Sequence, residues 1–166
     1  NNLIAENNLI AENVSNNEET GEIEDSPGIM IWKGNFVCIH NTIARNRNKD
    51  GGGRGLLLNN ANVVLTNTII VSQTVGLDIT ERSTVKLEAT LWGTATWRNE
   101  IDWLVDGNSA LYTGTIQIWG EPDFVDPEPG SAALPGRGYH IGPHSAALDA
   151  GVNAGVKEDI DGDPRP

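Results

Sequence analysis

The sequence predicts an all-β fold, a parallel β-helix in which each turn of the chain forms one coil. Two observations predict it. "VVLTNTIIV" (Val63–Val71) repeats a pattern present as "FVCIHNTIA" (Phe36–Ala44) and again as "TVKLEATLW" (Thr84–Trp92). Ahead of each stands a second motif: "GIMIW" from Gly28, "GLLLN" from Gly55 and "GLDIT" from Gly76. Short repeats of this kind cannot bury an apolar face alone and do so by stacking on their neighbours. The 3.6-residue period of helical repeats is absent.

The strands follow from alternation. Aligning the first set puts Val37, Val63 and Val85 in one column, Ile39, Leu65 and Leu87 in the next, and Ile43, Ile69 and Leu91 past a bend. These nine are expected inward, with His40, Thr66, Lys86 and Glu88 outward, as period-two strands require. In the second set Ile29, Leu56 and Leu77, then Ile31, Leu58 and Ile79, face in, while Met30, Leu57 and Asp78 face out. "NNLIAEN" at Asn7–Asn13 matches "HNTIARN" at His40–Asn46, which makes Asn8, Asn41 and Asn67 equivalent, with Ala89 in the same place one coil later. The spacings are then about 33, 26 and 22 residues. An Asn at each bend tolerates unusual backbone angles and hydrogen-bonds to its neighbour in the stack. The polar stretches "VSNNEETGEIEDSP" and "RNKDGGGRG" read as loops.

Coils are expected over residues 1–120, less regular after Trp92, with residues 121–166 as a Pro/Gly-rich segment of the same domain packed as a cap over the last coil. "NLIAEN" occurs twice in succession, Asn2–Asn7 and Asn8–Asn13, too close for two coils. The first copy is therefore expected to be unpartnered within the chain and to pair with a neighbouring subunit, to extend the adjacent strand of the same coil, or to belong to a coil continued elsewhere. The start at Asn1 reads as though cut from a longer chain.

Eleven Lys and Arg against twenty-three Asp and Glu give a net charge of −12, which repels nucleic-acid backbones and anionic membranes. The single cysteine, Cys38, allows no intrachain disulfide. No apolar run has the ~20 residues of a membrane span, and the first residues lack a signal peptide's pattern.

Chemistry is sparse. Asp159, Asp161 and Asp163 alternate in "DIDGDPR", so their carboxylates could converge on Ca²⁺, the one cofactor the sequence suggests. The competing reading is a tight turn capped by Asp side chains, with Asp163 paired to Arg165. The glycine spacing excludes an EF-hand. Trp97, Trp103, Trp119 and Tyr112 form a candidate sugar-stacking platform, together with Trp92; alternatively they plug the end of the stack. Asp78, Glu81, Glu88, Glu100 and Asp102, near His40 and Lys86, are the carboxylates from which an acid/base pair would be drawn, and no spacing singles one out. His40, His140 and His144 show no metal-ligand pattern. Asn13-Val14-Ser15 is a lone sequon.

The C-terminal run "FVDPEPGSAALPGRGYHIGPHSAALDAGVNAGVKEDIDGDPRP" is similar to the ending of bacterial right-handed parallel β-helix surface proteins of the choice-of-anchor Q type. There a "DPxFVDP" element leads to "YHLxPGSPAIDAG" and "TDIDGDPRP". The matching residues are Pro122–Pro127, Tyr139–Pro143, Ser145–Gly151 and Asp159–Pro166, with His144 where that family has Gly and Ala146 where it has Pro. The resemblance implies right-handed winding and a secreted or cell-surface location, and carries no catalytic residue with it. The family usually continues past this ending into a short strand.

Together these readings point to a non-catalytic extracellular module with a structural, adhesive or carbohydrate-contacting role, whose partners are a polysaccharide or neighbouring copies of itself. Right-handed β-helices also include polysaccharide lyases and glycoside hydrolases, so a fragment of such an enzyme is one alternative. A self-assembling filament subunit is the other.

Overall fold

The computed structural model describes residues 2–15, 27–48, 50–127 and 137–165. The fold is all-β and its sheets are parallel. Strands β1 (Asn2–Glu6), β2 (Leu9–Ala11), β3 (Val14–Ser15), β4 (Pro27–Ile39), β5 (Thr42–Ala44), β6 (Arg47–Asn48) and β7 (Arg54–Thr66) lead to β8 (Ile69–Val71), β9 (Val75–Thr80), β10 (Thr84–Glu88), β11 (Thr90–Gly93), β12 (Ile101–Val105), β13 (Ala110–Thr113) and β14 (Gln117–Gly120). A seven-stranded sheet runs β1-β4-β7-β10-β13, with β9 beside β7 and β12 beside β9. A five-stranded sheet runs β14-β11-β8-β5-β2, and β3 pairs with β6. The chain thus returns to each sheet one strand further along.

The interior is the apolar column set that the repeat predicts, with one slip. Leu56, Leu58, Val63, Leu65, Leu77, Ile79, Val85 and Leu87 form one buried cluster. In β4, however, Phe36 pairs with Val63 and Cys38 with Leu65, so Phe36 and Cys38 take the inward places assigned to Val37 and Ile39. The cause is the unbroken length of β4. It pairs with β7 from Pro27↔Arg54 to Ile39↔Thr66, and the register set by Ile31↔Leu58 propagates past the bend at one constant offset. A one-residue shift exchanges the faces. The same offset carries into the second sheet. Ile43 pairs with Ile70, and Ile70 with Trp92, which form the inward column, while Ile69 and Leu91 face outward.

The bends are therefore not a stack of Asn41 on Asn67. Asn7, His40, Asn67 and Ala89 occupy that corner, all left-handed, with φ of 54, 53, 50 and 50°. Each N–H continues the ladder, as in His40 N to Thr66 O at 3.0 Å and Asn67 N to Glu88 O at 3.0 Å. Asn41 instead bonds to Asn8, accepting its N–H at 3.0 Å. A second amide ladder escaped the sequence reading: Asn46 Oδ1 accepts Asn13 N–H, Gln73 Oε1 accepts Asn46 N–H and Asn99 Oδ1 accepts Gln73 N–H, at 3.3, 3.0 and 3.0 Å. The repeat hides it, because one rung writes Gln and another lies beyond Trp92. The recurrent glycine opening each second motif has a steric cause: a Cβ on Gly55 would lie 2.5 Å from the Gly76 carbonyl.

Both "NLIAEN" copies hold places in the same rung, β1 beside β4 and β2 beside β5, so the first copy has a partner inside the chain and extends the run of the second. Val14–Ser15 and Arg47–Asn48, expected as loops, form β3 and β6. Of the rest of the first expected loop, residues 16–26 lie outside the described residues and Pro27 opens β4.

The described parts of the C-terminal segment, residues 121–127 and 137–165, do not lie across the last rung as a cap. They run back along the flank of the five-stranded sheet. Thr94 donates to Glu121 at 2.9 Å, Arg45 to the Pro127 carbonyl at 2.6 Å, and Asn7 to the Glu158 carbonyl at 2.9 Å, so contacts proceed toward the first rung. The reason is apolar area: Ala44 and Val71 face outward on that sheet and are fully buried with Trp97 and Phe124, with Tyr139 and Ile69 against them. Covering this face removes a continuous apolar stripe from water.

Candidate functional site

A concavity lies between that outward sheet face and the C-terminal segment. It encloses about 650 Å³, with Leu9, Ile69, Leu91 and Ile118 on the sheet side and Leu148, Val152 and Val156 on the other. Polar lining comes from His40, Asn67, His140, Asp161 and Arg165. The strand columns place Ile69, Leu91 and Ile118 at one-rung intervals, ~4.8 Å apart, with Leu9 two rungs before Ile69 across Thr42. The other side depends on the strap that the C-terminal segment makes.

The polar groups here are held by specific partners. His140 Nε2 sits 3.0 Å from Asp161 Oδ2. Arg165 donates to Asn7 Oδ1 at 3.2 Å and to the Glu158 carbonyl at 3.3 Å. His40 is held below its usual pKa, first by burial and then by the Arg165 charge, so it stays neutral near pH 7. Beside the cavity, Tyr139 donates to Glu12 Oε1 at 2.7 Å, and burial, then Glu12, push the phenol's pKa up. Arg45 lies 3.6 Å from Glu12 and 4.2 Å over the Trp97 ring. This arrangement is suited to holding the segment in place and to offering a half-apolar slot with fixed hydrogen-bonding groups.

The proposed calcium ligands do not converge. Asp159 Oδ1 accepts the N–H groups of Asp161 and Asp163, both at 2.9 Å, which is the side-chain-capped turn. These bonds, that from Asp163 first, hold the Asp159 carboxyl below the usual carboxylate range. Asp161 turns to His140 instead, and Arg165 turns to Asn7. Among the described residues no group of three His, Cys, Asp or Glu side chains gathers in a way that could hold a metal.

The aromatic residues divide into separate places. Trp97 is buried edge-on to Phe124 at 4.9 Å, and Trp103 packs edge-on to buried Trp92 at 5.2 Å. Trp119 is exposed at the last rung, in the column of Trp92, while exposed Tyr112 points outward in the column of Lys86. The four sugar-contact candidates therefore share no single platform.

Several of the acid/base candidates have structural tasks. Asp78 pairs with Arg54 at 2.6 Å. Glu88 accepts from Thr115 N and Ile116 N, at 3.3 and 3.0 Å, turning away from the His40 column. Asp102 accepts from Asn99 at 3.0 Å and from Trp119 Nε1 at 3.3 Å.

No helix among the described residues is long and apolar enough to cross a membrane. Compared with family models, curated proteins and solved structures, the chain finds no match in any of the three.

Proposed function

We propose that the chain winds as a right-handed parallel β-helix and serves as a non-catalytic module of an extracellular or cell-surface bacterial protein, similar to the choice-of-anchor Q type. Its role on this reading is mechanical and adhesive: a rigid stack that holds a contact surface, for a polysaccharide, at a fixed distance. One observation carries it. The C-terminal segment, the part of the chain with the family resemblance, is pinned to the stack from the Thr94–Glu121 contact to the Asn7–Arg165 contact, which makes the whole a braced rod. The enzyme alternative is weakened because Asp78, Glu88 and Asp102 are held by structural partners.

A glycan-array screen with and without Ca²⁺, paired with a turnover assay on uronic-acid polysaccharides and neutral glycans, tests the reading. Binding without turnover supports it. Cleavage of any polysaccharide replaces it with the enzyme reading, and neither binding nor cleavage removes the carbohydrate role.

A further inference from the structure

No strand among the described residues pairs beyond the last rung. Among the described residues β12, β13 and β14 each pair on one side only, with β9, β10 and β11. Their other edges present backbone N–H and C=O groups along the rim, a ready template for another strand.

The same rung carries an unfinished core. Ile101, Trp103 and Val105 continue the inward columns of Val75, Leu77 and Ile79. Leu111 continues that of Val85, and Trp119 that of Trp92. One rung inside, Leu77, Ile79, Val85 and Trp92 are fully buried, whereas Val105, Ile101 and Trp119 are 40, 43 and 53% exposed. None of these five end-rung side chains is charged, so covering them strands no ion.

We propose that this end face seats a second copy of the chain, whose strands extend the ladder. The occupant must satisfy two demands together: directional hydrogen bonds along strand edges and an apolar column between the sheets. A sugar or an acyl chain meets at most one of them; a rung of the same kind meets both. The chain carries such a rung. β1 and β2 pair on one side only among the described residues, with β4 and β5, and so offer the opposite edge of the same two sheets. Leu3 lies in the column that runs through Phe36, Val63 and Val85 to Leu111. Ile10 lies in the one that runs through Ile43, Ile70 and Trp92 to Trp119. Leu3 is itself 55% exposed. The net charge of −12 opposes association of like copies, so screening favours it.

Sedimentation velocity over a range of protein concentrations, at low salt and at ~1 M salt where the Debye length falls to ~3 Å, reads the association directly. The expected result is a mass that rises from one chain to two or more with concentration, and more readily at high salt. Trp119→Lys and Val105→Lys, each checked for retained β-sheet circular dichroism, should return the monomer. Tyr112→Lys, on the outward side of the same rung, should not. A wild-type chain that stays monomeric throughout overturns the proposal, as does association that survives both end-face lysines.

Discussion

Asn67 grips Val152 in both directions: its Nδ2 donates to the Val152 carbonyl at 2.7 Å and its Oδ1 accepts the Val152 N–H at 2.8 Å. The side chain thus stands in for a strand edge, tying the C-terminal segment to a corner of the stack. Asn67→Asp keeps a residue that tolerates the positive φ of this corner but removes the donor, isolating the bond from the backbone. Loss of one such bond is worth roughly 0.5–1.5 kcal/mol, and more if the carbonyl is left unpaired. The expected outcome is faster amide exchange and proteolysis across residues 147–165, with little change in strands β7 to β10. Equal loosening throughout would show that segment and stack form a single cooperative unit.

Leu65 tests the register. It is fully buried between Cys38 and Leu87, and its neighbour Val64 points outward and is 37% exposed. Leu65→Ala should cost about 2–5 kcal/mol in chemical denaturation. Val64→Ala should fall within about 0.5 kcal/mol of wild type. Similar costs for both would contradict the facing assigned here.

How far the fold was legible follows from the same columns. Period-two alternation found Leu56, Leu58, Val63, Leu65, Val85 and Leu87 because each alternates with a more polar or more exposed neighbour on a repeated motif. It failed at Phe36–Ile39, where four apolar residues stand in a row and alternation carries no phase. There Asn41 and Asn67 looked like equivalents, and only the continuous pairing of β4 with β7 shows that Asn67 belongs with His40. The cavity was not legible at all. Its floor needs Ile69 and Leu91 facing outward, and its roof is an irregular segment whose path is set by contacts between residues as distant as Asn7 and Arg165.

Thr90 is buried and its hydroxyl finds no hydrogen-bond partner among the described residues, whereas Thr68, one rung earlier, donates to the Thr66 carbonyl at 3.2 Å. An unsatisfied buried hydroxyl costs roughly 1–3 kcal/mol. Thr90→Val keeps the branched shape and removes the polar atom, so thermal unfolding should shift upward by the equivalent of about 1 kcal/mol. A lower melting temperature would mean that the hydroxyl has a partner, such as a bound water.

The Asp159 turn bears on calcium. With Asp159 Oδ1 already accepting two backbone N–H groups, the turn holds its shape without an ion. Adding EDTA should therefore leave the melting curve unchanged, while Asp159→Ala should cost about 1 kcal/mol and free the chain near Arg165. A melting temperature that falls on chelation would restore the metal reading.

His40 gives the chain a pH dependence with a definite sign. Burial, and secondarily the Arg165 charge, lower its folded-state pKa below the 6.5 of the unfolded chain, so between those two values the unfolded state binds more protons. The stability associated with neutral His40 is present in full above pH 6.5 and declines as pH falls through that interval, levelling off once the folded state is protonated too. Protonation also sets a cation against the Arg165 guanidinium, while the Asn67 amide nitrogen lies 3.4 Å from His40 Nε2. His40→Asn suits the positive φ at this corner and has no proton to gain. Melting temperatures measured from pH 8 to pH 5 should show the variant with a shallower decline than wild type between pH 6.5 and 5. Parallel curves would place the pH dependence elsewhere.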